Sequence, residues 1–215
     1  MPAFYRTTIG KKVVMAVTGI ILVGFIIGHV LGNLLVFRGA EALNDYSALL
    51  KSNAGLLWAV RFGLLAAVIL HVPAAIQLTR LDIAARPVGY AKYGRQASTI
   101  GSRSMRWGGL ALALFIVYHL LHFTTGTLHP TFSHTNVYGN VVAAFSVWWI
   151  VLIYVAAMVF LGLHLYHGVW SVGRTLGVAP RAEQPLKRRL ATVIAVLVWL
   201  GFTSIPVAVY FGVLR

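Results

Sequence analysis

Six of the eight histidines, His29, His71, His119, His122, His164 and His167, lie inside long apolar runs. An imidazole there is costly to charge and serves best as a neutral ring, one nitrogen of which can bind a metal or accept a hydrogen bond. The stretch GLHLYHGVWS sets His164 and His167 three residues apart, and VYHLLHF does the same for His119 and His122. Residues at that spacing share nearly one helix face, so spacing does not choose the ligand within either doublet. There is no cysteine, which removes disulfides, iron-sulfur ligation and thiolate zinc sites. Any metal or cofactor on this chain must rely on histidine, oxygen ligands or packing.

The elements that position these rings follow from composition. Hydrophobic residues make up 59% of the 215, charged residues only 10%, and the mean hydropathy is +0.82. An ordinary soluble domain carries roughly 25% charged residues. The net charge of +14 does not indicate a nucleic-acid binder, because the cations gather in short stretches between apolar runs. About 20 apolar residues cross a bilayer as a helix. Five runs have that length: about 13–37, 55–79, 107–128, 141–173 and 190–213. The first is too long for a signal-peptide core and is expected to be retained. The expected fold is an all-α membrane protein, one five-helix bundle over 1–215, with neither an internal repeat nor a linker. The connection RGAEALNDYSALLKSNAG has a partly amphipathic pattern suited to the membrane surface. HPTFSHTNVYGN, with Pro130, Asn136, Gly139 and Asn140, is turn-like.

Fourteen of the 18 lysines and arginines fall on one side of this arrangement. Arg6, Lys11 and Lys12 precede the first run; Arg80, Arg86, Lys92, Arg95, Arg103 and Arg106 surround the second connection; Arg174, Arg181, Lys187, Arg188 and Arg189 fill the fourth. That bias puts the N-terminus in the cytoplasm and the C-terminus outside.

The depths of the histidines are paired. His29 stands nine residues before Arg38, His71 nine before Arg80, His119 ten before His129 and His164 ten before Arg174. Each is displaced toward the exit end of its own helix. Because successive helices run in opposite directions, His29 and His119 shift outward while His71 and His164 shift inward, giving two levels about 12 Å apart. Two imidazoles at each level, on different helices, suit two bis-histidine haems stacked across a bilayer. Gly24, Gly28 and Gly32 form a small-residue face that serves either helix packing or clearance for a porphyrin. A haem-free transporter or channel with a histidine relay is the rival from another class. Such relays usually recruit carboxylates, and Glu41, Asp45, Asp82 and Glu183 all fall outside the five runs.

The stretches TGIILVGFIIGHVLGNLLVFRGAEALNDY, ILHVPAAIQLT, RWGGLALALFIVYHLLHFTTG and GLHLYHGVWSVGRTLG resemble the single-chain, five-helix, dihaem cytochrome b anchor of succinate:quinone oxidoreductases and fumarate reductases. The last stretch is the most specific, since the family's ligand histidine, glycine and tryptophan match His164, Gly168 and Trp170. The resemblance implies axial ligands at His29 and His119 for a distal, outer haem b, and at His71 and His164 for a proximal, cytoplasmic one. It also implies a cytoplasmic flavoprotein with FAD, an iron-sulfur subunit, a membrane quinone that in two-haem members is typically menaquinone, and a place in the bacterial cytoplasmic membrane as part of the respiratory chain. The dicarboxylate chemistry would then lie on the partner subunits. The anchor of a hydrogenase or formate dehydrogenase is the alternative that keeps the haems.

Three further expectations concern the surroundings of the haems. Arg61, inside the second run and ten residues on the outer side of His71, is placed to meet a distal haem propionate or to snorkel to the outer interface. His122 at the outer level, and His167 with Trp170 at the inner one, are candidates for hydrogen bonding to quinone or propionate. Some family members carry an intramembrane glutamate near the distal haem, and no glutamate lies in any of the five runs.

Overall fold

The computed structural model describes residues 3–85, 100–129, 131–177 and 184–215. Arg86, Lys92 and Arg95 of the second connection, Pro130 of the third, and Arg181 and Glu183 of the fourth lie outside the described residues. Among the described residues there is helix and no strand.

A four-residue turn of helix, α1 (Ala3–Arg6), leads into α2 (Thr8–Asn33), whose N-terminus is capped by Thr7: its hydroxyl accepts from the Gly10 amide at 2.9 Å. A 3₁₀ turn, Leu34–Arg38, carries the chain on to Gly39, whose φ of 101° turns it into the helix α3 (Ala40–Ser52). Next comes α4 (Ala54–Ala84), capped by Asn53, whose side chain accepts from Leu56 at 3.0 Å. α5 (Ile100–His119) passes without interruption into one π turn, Leu120–Thr124. α6 (Val137–Phe145) is short, and α7 (Trp148–Thr175) and α8 (Gln184–Tyr210) complete the chain.

Five helices are long and apolar enough to span a membrane: Thr8–Arg38, Ala54–Ala84, Ile100–Thr124, Trp148–Thr175 and Pro185–Tyr210. They exceed most of the apolar runs because each extends beyond hydrocarbon depth into polar flanks, as α5 does through Arg103 and Arg106. The run 141–173 is not one long span. It is α6 and α7, separated at Ser146–Val147, where Ser146 Oγ donates back to the Val142 carbonyl at 2.8 Å and Val147 adopts an extended backbone that starts α7. Hydropathy does not register this break, because Val147 is as apolar as its helical neighbours.

Large apolar side chains line the outside: Trp107 is 77% exposed, Leu31 and Phe62 each 62%. Such a surface suits lipid, where helices associate through close fit and not through exclusion of water. α2 packs along α4, while α7 takes α5 on one side and α8 on another. Small residues set the closest approaches. A β-carbon on Gly201 of α8 would lie 2.6 Å from Val30 Cγ2 of α2, and one on Gly32 would run into the Tyr46 ring of α3. The basic ends gather similarly, with the guanidinium groups of Arg174 and Arg188 at 5.0 and 4.7 Å from the Trp170 ring.

Candidate functional site

Two pairs of histidines meet inside the bundle. The rings of His71 on α4 and His164 on α7 have centroids 6.3 Å apart at 57°, and those of His29 on α2 and His119 on α5 stand 6.0 Å apart at 82°. Neither α4 with α7 nor α2 with α5 is among the closely packed helix pairs, so in each case the imidazoles reach toward one another across a gap between backbones. A metal-bound imidazole nitrogen stands about 2 Å from the metal with its ring centre roughly 1 Å behind, so two rings on opposite sides of one ion have centroids about 6 Å apart. Both couples have that separation.

The levels can be read along the helices. Thr18 and Gly19 of α2 adjoin His71, and Gly109 of α5 adjoins His164. Ten residues on from Gly109, His119 meets Tyr154 of α7, itself ten residues before His164. Ten residues of helix rise about 15 Å, so the couples are stacked at two depths somewhat further apart than the flanking residues suggest.

Each couple contains one ring held by a hydroxyl from a different helix. Thr18 Oγ1 is 3.1 Å from His71 Nδ1, and Tyr154 Oη is 3.3 Å from His119 Nδ1. His29 is flanked by Phe25, stacked at 5.2 Å, by Phe202 at 5.7 Å, and by the Asn33 amide, which donates to the His29 carbonyl at 2.7 Å. His164 Nδ1 is buried without a hydrogen-bond partner.

The second member of each doublet is differently placed. His122, in the π turn, is fully buried; its Nδ1 lies 3.0 Å from Tyr154 Oη, its ring stacks on Tyr118 at 5.3 Å and on His129 at 5.1 Å, and its Nε2 has no partner. The π turn inserts one residue into the helical register after His119, a device common at functional sites. His167 and Trp170 meet edge to face at 6.0 Å, with His167 Nδ1 and Trp170 Nε1 both buried and unpartnered. Arg61 is exposed and lays its guanidinium over Trp58 at 5.0 Å, one turn nearer the start of α4. Tyr154, Thr18 and His129 were not singled out by sequence. Their signal was a polar atom within an apolar helix or an aromatic turn, which marks many packing residues as well.

The space around the couples also bears on the chemistry. Of Gly24, Gly28 and Gly32 on α2, Gly32 serves packing, whereas a β-carbon on Gly24 or Gly28 would have no atom of another residue within 4 Å. One on Gly19 would lie 3.5 Å from His71 Cε1, and one on Gly109 would lie 4.0 Å from His164 Cε1. Among the described residues no three of His, Asp and Glu converge to form a metal cluster. Two neutral nitrogens per centre, on opposed rings between separated backbones, fit a planar macrocycle that brings its own equatorial ligands.

A family model described as the succinate dehydrogenase/fumarate reductase transmembrane subunit matches residues 86–203, more than half of the chain, and so includes His119, His122, His164 and His167. No curated protein and no solved structure matches. With five apolar helices long enough to span a membrane and this match over α5 to α8, the chain belongs to the family of succinate dehydrogenase/fumarate reductase transmembrane subunits, multi-pass membrane components of a multi-subunit enzyme.

Proposed function

We propose that this chain is the dihaem b anchor of a bacterial succinate:quinone oxidoreductase. His71 and His164 would hold the proximal haem, toward the cytoplasm, and His29 and His119 the distal one, toward the outer face. The observation that carries this reading is the pair of imidazole couples, 6.3 and 6.0 Å between centroids, each bridging helices that do not pack closely. Bound there, haem supplies one-electron carriage between the two depths and a membrane quinone, which we assign as menaquinone.

The chain's own part is positional. α2, α4, α5 and α7 present neutral imidazoles from opposite sides, and Thr18 and Tyr154 engage the nitrogens that would not ligate. Gly24 and Gly28 leave room beside α2. Apolar side chains cover the outside of the bundle, and α8 packs along α7. Arg80, Arg103, Arg106, Arg174, Arg188 and Arg189 make the cytoplasmic end basic, which suits anionic headgroups and a docked iron-sulfur subunit beneath an FAD flavoprotein. Dicarboxylate chemistry belongs to those partners.

Purification through a tag on this chain tests the assignment. The expected eluate contains a flavoprotein and an iron-sulfur protein and reduces a menaquinone analogue with succinate. A nickel or molybdenum subunit in their place contradicts it.

A further inference from the structure

Two hydroxyls stand in equivalent relation to the two imidazole couples, and neither belongs to the helix whose histidine it touches. Thr18 of α2 reaches His71 of α4 at 3.1 Å, and Tyr154 of α7 reaches His119 of α5 at 3.3 Å. In both cases the atom touched is Nδ1.

Thr18 Oγ1 has one hydrogen and three neighbours that could take it, the Val14 carbonyl at 2.7 Å, the Met15 carbonyl at 3.2 Å and His71 Nδ1 at 3.1 Å; with the hydrogen on the shortest of these contacts, the hydroxyl accepts from His71. In that arrangement His71 carries its hydrogen on Nδ1, which leaves Nε2 as the free lone pair. At the outer couple Tyr154 has two imidazole neighbours, His119 Nδ1 at 3.3 Å and His122 Nδ1 at 3.0 Å. One phenolic hydrogen can serve only one of them. If His119 is to present Nε2 to a metal, its Nδ1–H donates to Tyr154, and the Tyr154 hydrogen goes to His122 Nδ1. His122 is thereby fixed with its hydrogen on Nε2. The opposite direction leaves His119 with a hydrogen on Nε2 and no lone pair there.

We propose that Thr18 and Tyr154 are positioning residues, each fixing the tautomer and ring orientation of one ligand histidine, His71 and His119 respectively. This rests on the haem reading above. The two are not equivalent. With the hydrogens so placed, Thr18 ends its chain on a backbone carbonyl, whereas Tyr154 extends its chain to the imidazole of His122. A hydrogen bond that draws on Nδ1–H makes the ligating nitrogen more basic and favours the oxidised metal, so its loss raises the reduction potential.

The test is a redox titration of the purified complex with the two haems resolved optically. Tyr154→Phe, which keeps the ring and its packing, is expected to move one haem to higher potential and leave the other in place. Thr18→Val is expected to move the other haem upward, and Thr18→Ser to restore it. His122→Leu, which removes the acceptor of the Tyr154 hydrogen, is expected to shift the same haem as Tyr154→Phe, by less. Loss of one haem alone from Tyr154→Phe supports the same role. Full occupancy with both potentials unchanged in Tyr154→Phe and Thr18→Val overturns it. An unsubstituted complex without haem overturns the haem reading instead, so the two failures are distinguishable.

Discussion

The imidazoles of His29 and His119 stand 6.0 Å apart at an interplanar angle of 82°, although the helices that carry them are not closely packed. If they are two halves of one axial couple, their removal is strongly non-additive. His29→Ala, His119→Ala and the double variant should each lose the same haem, while His29→Ala combined with His71→Ala should lose both. Difference spectra of the purified complexes check this. Additive loss within the His29–His119 couple would break the pairing.

The glycines of α2 give a contrast between packing and clearance. A β-carbon on Gly28 meets nothing of another residue within 4 Å, whereas one on Gly201 of α8 would lie 2.6 Å from Val30 Cγ2. Gly201→Leu should therefore destabilise the anchor by about 1–3 kcal/mol through overpacking. Gly28→Leu should leave thermal stability of the haem-free chain nearly unchanged and lower haem retention. Melting in detergent and haem content of the same preparations separate the two effects. Equal loss of stability in both variants would contradict the distinction.

Much of this fold was written in hydropathy, because five apolar runs bounded by clustered cations leave few other ways to satisfy backbone polar groups in lipid. The paired depths of His29, His71, His119 and His164 followed from counting residues along antiparallel helices. Other features were not legible. The break at Ser146–Val147 depends on two backbone conformations inside an apolar run. The π turn at Leu120–Thr124, which separates the environments of His119 and His122, leaves no periodic trace over five residues. Thr18 and Tyr154 acquire meaning only from rings on other helices, more than 30 residues away in sequence. Arg61, placed by sequence between two roles, has its guanidinium over Trp58.

The connection that precedes α6 depends on Asn140. It is 3% exposed, its Nδ2 donates to the Ser133 carbonyl at 2.7 Å, and its Oδ1 accepts from the Ser133 amide at 2.9 Å. Its own carbonyl lies 3.0 Å from His129 Nε2. Asn140→Ala leaves the Ser133 groups without these partners and should cost about 2 kcal/mol, read as a lower melting temperature. An unchanged transition would show that the loop is held elsewhere.

The distribution of basic residues predicts a cytoplasmic N-terminus and an outer C-terminus. A phosphatase reporter that works only outside the cytoplasm should be active when fused after Arg215 and inactive when fused in the connection between α7 and α8. The reverse pattern would invert the bundle and exchange the proximal and distal couples.

The central claim is that four histidines form two axial couples in one chain. The most direct measurement is the haem b content of the purified complex per anchor chain, combined with low-temperature electron paramagnetic resonance of the oxidised form. The account predicts two haems per chain, both low-spin and bis-histidine. One haem, none, or a high-spin signal from an intact complex would contradict it.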